Sequence, residues 1–495
     1  MKVAEKAVSN TIYLLTNWFV LTLLSFLYWV IAGKMLLPDE YGKVTTAYQI
    51  MFLIGSLANL GLGVAVSKLV PEFIAKKQEK KIPTLIKFSL KISLTSALLL
   101  SLFILLISNL IIEHLELDVY SIILIIIGIV SAQLSSFFSN VWYGYQIMRK
   151  ILANNVINQA VKLSTAALLL YLGFKHLGPI SALTLSYLTS FILYFNRKFI
   201  RDGIKFNTKK VFFNYAIPAF LANLAWCIFN NTQYILLNLF KTAFVTGIFA
   251  VAFLISSQVA IIPQILSRAL FPLISGLSVN KEKEKQSKLI SLALRYSLLI
   301  GIPLVLFFIS FNKPLILIFA RSEYLGASRL FLLLAPGALF FGLGRLFLVN
   351  IYAIGKSRIY RNISILVSLS YLFLSFFLIR QLADYGLAIA YLVTSLIFFS
   401  FSIFSFKKEV KIEFEWRDLG KIFISLLIPF LILYLLDILN IHTILKFVLA
   451  AIAGLLYLLG LKITKFYSSE DKRVVFLLVE KLRLKGLEKI IKIFM

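Results

Sequence analysis

Stretches of about 20 to 30 residues almost free of charge recur along the whole of this sequence, and no other feature limits its fold as strongly. As a helix, each stretch is long enough to cross roughly 30 Å of hydrocarbon. A backbone in hydrocarbon has no water to bond, so only helices and closed barrels can span. The apolar runs are continuous rather than alternating, which selects helices. Of 495 residues, 60% are hydrophobic and only 15% charged. A soluble surface needs about 25% charged residues. Disorder is excluded by 45 Phe and 22 Tyr, and a disulfide scaffold by a single cysteine, Cys227. The expected fold is an all-α polytopic membrane protein.

Fourteen helical segments are predicted, at 10–36, 42–70, 84–112, 119–147, 152–173, 178–196, 212–238, 243–276, 289–311, 324–353, 359–380, 385–406, 420–437 and 443–464. The first apolar stretch is too long for the core of a signal peptide. The net charge of +29 would suggest nucleic acid in a soluble protein. Here its distribution has a simpler cause. With the N-terminus inside, 36 of the 51 Lys and Arg fall on the cytoplasmic side and nine on the outer side. That bias predicts a multi-pass protein of the cell membrane with both termini cytoplasmic. In the tail at 466–495, apolar and basic residues alternate at helical spacing. This predicts either an interfacial amphipathic helix on anionic lipid or an ordinary charged tail.

The first six segments resemble the next six. Tyr41-Gly42 pairs with Thr246-Gly247, and Gly178 with Gly386. Ser67-Lys68 precedes Pro71 as Ser267-Arg268 precedes Pro272, and the stretch from Lys91 to Leu94 aligns with that from Arg295 to Leu298. Two parallel, pseudo-symmetric six-helix lobes follow, 1–200 and 211–406, joined by a basic loop at 201–210. Two extra helices occupy 407–465. The polar faces of spans 1, 2, 7 and 8 are expected to line one cavity between the lobes.

Fourteen spans, the six-plus-six repeat, the Leu37-Pro-Asp-Glu-Tyr-Gly42 segment and the Pro71-Glu-Phe73 ending resemble one family. It is the polysaccharide-transporter branch of the multidrug/oligosaccharidyl-lipid/polysaccharide exporter superfamily. The resemblance covers essentially the whole chain. It implies a flippase that carries a lipid-linked oligosaccharide from the cytoplasmic to the outer leaflet by alternating access around a hydrophilic cavity.

Polar residues inside spans are costly and mark candidate sites. Asn155, Asn158, Gln159 and Lys162 recur at i, i+3, i+4 and i+7, on one helix face. Lys162 lies roughly 16 Å from the inner end of its span. It reads either as a cavity cation for pyrophosphate or an acidic sugar, or as part of a hydrogen-bonded seam. Lys91, Arg268, Arg295 and Arg345 sit toward inner helix ends, where they either clasp a phosphate or snorkel to headgroups. Asn223, Asn230, Asn231 and Asn238 recur on span 7, and Gln49, Ser56, Asn59 and Gly63 on span 2. These faces suit sugar hydroxyls, or helix packing. Every charge inside a span is basic, so the expected partner is an anionic lipid-linked saccharide, together with membrane lipids and no nucleic acid. The protein is expected to be a monomer.

No acidic residue lies in the middle of a span, which leaves a cation-coupled multidrug exporter of the same superfamily without a coupling carboxylate. An enzyme, such as a polytopic glycosyltransferase or polymerase, would need clustered acids or histidines. His114, His176 and His442 stand singly on short loops. No metal site, cofactor motif or catalytic set is present in the sequence.

Overall fold

The Leu37-Pro-Asp-Glu segment is a helix start. In the computed structural model, which describes residues 2–200, 203–412, 416–438 and 443–467, Leu37 is extended and Pro38 occupies the first turn. A missing N–H costs nothing there, and Asp39 and Glu40 complement the positive end of the helix. The tail expected to lie on the membrane surface falls outside the described residues except at 466–467, and His442 is also outside them.

All regular elements among the described residues are helical. Helix α1 (Lys2–Met35) is followed by α2 (Pro38–Asn59) and α3 (Leu62–Ala75), bent by 49° about Leu60 and Gly61. Gly61 has φ of 73°, and a Cβ there would fall 2.1 Å from the Ala216 carbonyl oxygen. Both its conformation and its contact therefore require glycine. Next come α4 (Ile82–Leu106), α5 (Ser108–Leu115), α6 (Val119–Gly144), α7 (Met148–Tyr171) and α8 (Leu177–Tyr194). The seventh expected span is broken into α9 (Thr208–Val211), a π turn, α10 (Ile217–Asn231) and α11 (Gln233–Phe240). The eighth is α12 (Ala243–Ser256) and α13 (Ile261–Val279), joined by a 3₁₀ turn. Then follow α14 (Lys283–Ser310), α15 (Asn312–Phe319), α16 (Phe331–Ala353), α17 (Ser357–Lys407), α18 (Trp416–Ile438) and α19 (Thr443–Ile463).

Among the described residues, nine helices are long and apolar enough to cross a membrane, or ten with the bent α2–α3 pair. Fourteen were expected, and the difference has local causes. Helix α17 holds two expected spans, interrupted at Ala383 with φ 51° and ψ −129°. The seventh span is divided at Thr232. Helix α7 carries Lys162 and a row of amides on an otherwise apolar segment. Rows of exposed Leu, Ile and Phe on α4 and α18, among them Leu99, Phe103, Phe423 and Leu427, match lipid-facing surfaces.

The chain divides into two units. The first comprises Met1–Leu254, Ile316–Leu330 and Ser364–Tyr391, the second Ile255–Leu315, Phe331–Ile363 and Leu392–Met495. Within the first unit, Phe137, Phe138, Trp142, Tyr194 and Phe199 fill one end of the bundle of α3, α4, α6, α7 and α8. At the Pro38 end, α2 and α12 cross backbone to backbone. A Cβ on Gly42 would fall 1.8 Å from the Ala243 carbonyl oxygen, and one on Gly247 would fall 1.9 Å from that of Pro38. These are the two glycines paired by the sequence repeat. Beside them, Asn238 donates to the Thr46 hydroxyl and the Leu115 carbonyl at 3.1 and 2.8 Å.

In the second unit, α13 packs on α16 and α18 pairs with α19 against α14, with Ile422, Leu426, Tyr457, Leu461 and Phe466 buried together. The Tyr457 hydroxyl donates to the Leu299 carbonyl at 2.8 Å.

The α2–α12 crossing leaves no room for a methyl group. Gly42→Ala and Gly247→Ala should each cost about 1–3 kcal/mol or more through overpacking. Gly454→Ala, whose Cβ would meet nothing within 4 Å, should be neutral. Unfolding in detergent measures this, and equal stability of all three variants would contradict the close approach.

Candidate functional site

The bend between α2 and α3 opens a cavity of about 320 Å³ in the first unit, walled by α2, α3, α6, α8 and α10. Its polar lining is uncharged: Ser56 and Asn59, Gln133, Ser136 and Asn140, and Asn223, beside Tyr187. Asn59 Oδ1 accepts the Gly63 N–H at 3.0 Å, so its Nδ2 remains a donor. Asn140 Nδ2 donates to the Ser136 carbonyl at 2.9 Å, so its Oδ1 remains an acceptor. The two amides close over Gly63, where a Cβ would fall 2.7 Å from Asn140 Nδ2. Gln133 is only 2% exposed, and its Nε2 has no hydrogen-bond partner.

Of the candidates read from the sequence, Asn223 lines this cavity. Asn230 is exposed on α10 and donates to the Trp226 carbonyl. The α7 face lies elsewhere, in a seam with α1 and α8. Asn155 donates to Asn17 Oδ1 at 2.9 Å, Gln159 to the Ser25 hydroxyl at 3.2 Å, and Asn158 to the Ser186 carbonyl at 2.7 Å. Each such bond between helices in lipid contributes about 0.6–2 kcal/mol. Lys162, 6% exposed, holds its ammonium 4.7 Å above the ring of Tyr28. That cation–π contact offsets part of its desolvation. Lys91 is exposed on α4.

In the second unit, Arg268 of α13 and Arg345 of α16 lie close enough for their like charges to interact. Arg295 is held differently. Its guanidinium is 2.6 Å from Asp418 Oδ2, bonds the Phe466 carbonyl at 2.6 Å and faces the Phe466 ring. It ties α14 to the start of α18 and the end of α19.

Tyr187 of α8 was missed, and so were three polar lining residues of α6, Gln133, Ser136 and Asn140. They fall at i, i+3 and i+7 of α6, the same signature that drew attention to α7. The polar wall of this cavity comes from spans 2, 4, 6 and 7.

His176 does not stand singly. Its Nδ1 is 2.5 Å from Glu40 Oε2, its Nε2 2.8 Å from Asp118 Oδ2, and its backbone N–H donates to Glu40 at 3.0 Å. Lys43 lies 3.0 Å from Asp39 and 3.7 Å from Glu40. A carboxylate on each ring nitrogen calls for a proton on both, hence an imidazolium. Burial works against that charge, but the bonds to Glu40 and Asp118 outweigh it and raise the ring's pKa above the usual 6.5. Burial likewise opposes the Asp118 charge, but the Ser121 N–H and His176 outweigh it and lower its pKa below 3.8.

The sequence profile described as "Polysaccharide biosynthesis protein" matches residues 7–278, and that of "Lipid II flippase MurJ" matches 251–458. No curated protein sequence matches. Among solved structures, the lipid II flippase MurJ in an inward closed conformation is 18% identical, with a TM-score of 0.73, over 92% of this chain and 98% of its own. A multidrug-resistance MATE transporter in an inward-facing conformation is 15% identical, with a TM-score of 0.61, over 78% and 94%. A MOP-superfamily transporter from Pyrococcus furiosus is 17% identical, with a TM-score of 0.52, over 81% and 95%. At these identities the likeness establishes the fold.

The charged cluster predicts a pH window. A raised histidine pKa contributes stability that is complete below 6.5 and lost as pH rises through the raised value. A lowered aspartate pKa contributes stability that is complete above 3.8 and lost as pH falls. Wild-type protein should therefore lose thermal stability on the alkaline side of 6.5, and His176→Gln should lack that slope. Parallel curves for the two proteins would show that the cluster carries no stability.

Proposed function

The chain belongs to the polysaccharide biosynthesis protein family, and from that premise we propose that it is a flippase for a lipid-linked oligosaccharide, a polysaccharide or glycan precursor. The substrate moves from the cytoplasmic to the outer leaflet of the cell membrane, and both termini are cytoplasmic. The observation that carries this reading is the cavity of the first unit, lined by amides, hydroxyls and an aromatic ring. Amides match the donors and acceptors of a sugar, and aromatic rings match its C–H faces. A fold shared with a lipid II flippase supports the same conclusion. The six-helix repeats 1–200 and 211–406 are the moving parts of alternating access, and the protein acts as a transporter rather than an enzyme.

Within the second unit, Arg268 and Arg345 bring two guanidiniums close to each other, and such planar forks suit phosphate oxygens. Arg295 is committed to Asp418, so its part is to anchor α18 and α19. Lys162 holds the α1–α7 seam and adds positive potential within the span.

The MATE-like fold keeps drug export as the competing reading. Against it, every carboxylate among the described residues lies in a loop or near a helix end or break.

Reconstituted protein and a fluorescent polyprenyl-pyrophosphoryl oligosaccharide separate the two. Wild-type protein should expose the label to an impermeant quencher at least about tenfold faster than Gly55→Leu. A Cβ on Gly55 meets nothing within 4 Å, so leucine grows into the cavity without a clash. No acceleration of the lipid, with extrusion of a cationic dye under a proton or sodium gradient, would replace the flippase reading with the exporter.

A further inference from the structure

Among the described residues, five buried side-chain amides leave an oxygen unpartnered: Gln49, Asn154, Gln159, Asn238 and Asn350. Gln133 leaves a nitrogen unpartnered, and it alone of the six lines the cavity. The difference is physical. A carbonyl oxygen tolerates partial satisfaction, whereas a buried N–H without an acceptor is rare and costly.

We propose that Gln133 is a specificity-determining residue whose Nε2 donates to a carbonyl oxygen of an uncharged saccharide, and that the cavity therefore selects an N-acetylated sugar. This rests on the flippase reading of the same cavity and names the sugar chemistry it takes. A hydroxyl carries its own hydrogen on the very oxygen that would meet Gln133, whereas an acetamido group carries its donor on nitrogen, pointing away from the carbonyl. An acetamido carbonyl brings no donor of its own. The acetamido N–H can meet Asn140 Oδ1, whose amide nitrogen is already used on the Ser136 carbonyl. The methyl group has the apolar side chains of Met51 and Val64 on the same wall. Ring hydroxyls can accept from Asn59 Nδ2, whose oxygen is held by the Gly63 N–H, and Tyr187 offers a ring face to the pyranose. No lining residue is ionisable apart from the Tyr187 phenol. A carboxylate-bearing sugar would thus lose its hydration with no cation to replace it.

The test is equilibrium binding to the full chain in nanodiscs of phosphatidylethanolamine and phosphatidylglycerol. Four probes are used: polyprenyl-pyrophosphoryl N-acetylglucosamine, its glucose and glucuronate counterparts, and bare polyprenyl pyrophosphate. Wild-type protein should bind the N-acetylglucosamine lipid about tenfold more tightly than the glucose lipid, as one buried hydrogen bond predicts. The glucuronate lipid should bind no better than the bare lipid. Gln133→Met keeps the side-chain length and removes the donor. It should bring the N-acetylglucosamine lipid down to the glucose level while the bare lipid binds as before. Gly55→Leu leaves Gln133 in place and blocks the cavity, so it should weaken both neutral sugar lipids alike. It also serves if Gln133→Met does not fold.

Equal wild-type affinity for the N-acetylglucosamine and glucose lipids would overturn the proposal, as would a preference that survives Gln133→Met. If no sugar-bearing lipid binds better than the bare one, and Gly55→Leu changes nothing, the failure belongs to the flippase reading of the cavity instead.

Discussion

Hydrocarbon supplies no hydrogen-bond partner, so a polar side chain inside a span must be satisfied by the protein or by something the protein admits. The polar groups on α7 follow the first course. On α7, Asn155 and Gln159 reach α1, Asn158 reaches the backbone of α8, and Lys162 rests on Tyr28. These contacts tie α1, α7 and α8 together. On α6, Gln133 follows the second course: it is buried, polar and facing a cavity, with its donor unused. The contrast between two helices with the same polar spacing separates architecture from recognition in this chain.

Close backbone approach is the other device that shapes the first unit. Glycine at 42, 61 and 247 lets helices meet where any side chain would hold them apart. The bend at Gly61 both admits Ala216 and opens the cavity above it, so one residue serves the fold and the site together. The Gly42–Gly247 crossing and the Glu40–His176–Asp118 cluster draw together one end of the same unit. Their chemistries differ: dispersion and backbone geometry at the first, a protonated ring between two carboxylates at the second.

Much of the fold was legible because hydrophobic length is a one-dimensional property. Most segment boundaries lie within several residues of the helices found, with the starts of α1, α14 and α16 further off, and the repeat-related pair Gly42 and Gly247 turned out to be contact partners. What periodicity cannot give is the identity of a partner distant in sequence. It marked Lys162 as buried on a polar face but could not supply Tyr28. It marked Arg295 as an in-span cation but could not supply Asp418, 123 positions later. It also treated His176 as solitary, because Glu40 comes from the first turn of α2 and Asp118 from the cap of α6, both distant in sequence. Gln133, Ser136 and Asn140 carried a visible pattern and were passed over, since an uncharged triad on an apolar span attracts less notice than a lysine. Which polar face meets cavity and which meets helix is decided by packing, and that is where the sequence stops.

A cryo-electron microscopy structure of the full chain in nanodiscs with polyprenyl-pyrophosphoryl N-acetylglucosamine bears most directly on the saccharide cavity. The account predicts sugar density within hydrogen-bond distance, about 2.7–3.2 Å, of Gln133 Nε2, with Asn59 and Asn140 around it. A bound lipid whose sugar lies elsewhere, with the cavity beside Gln133 filled only by water, would contradict it.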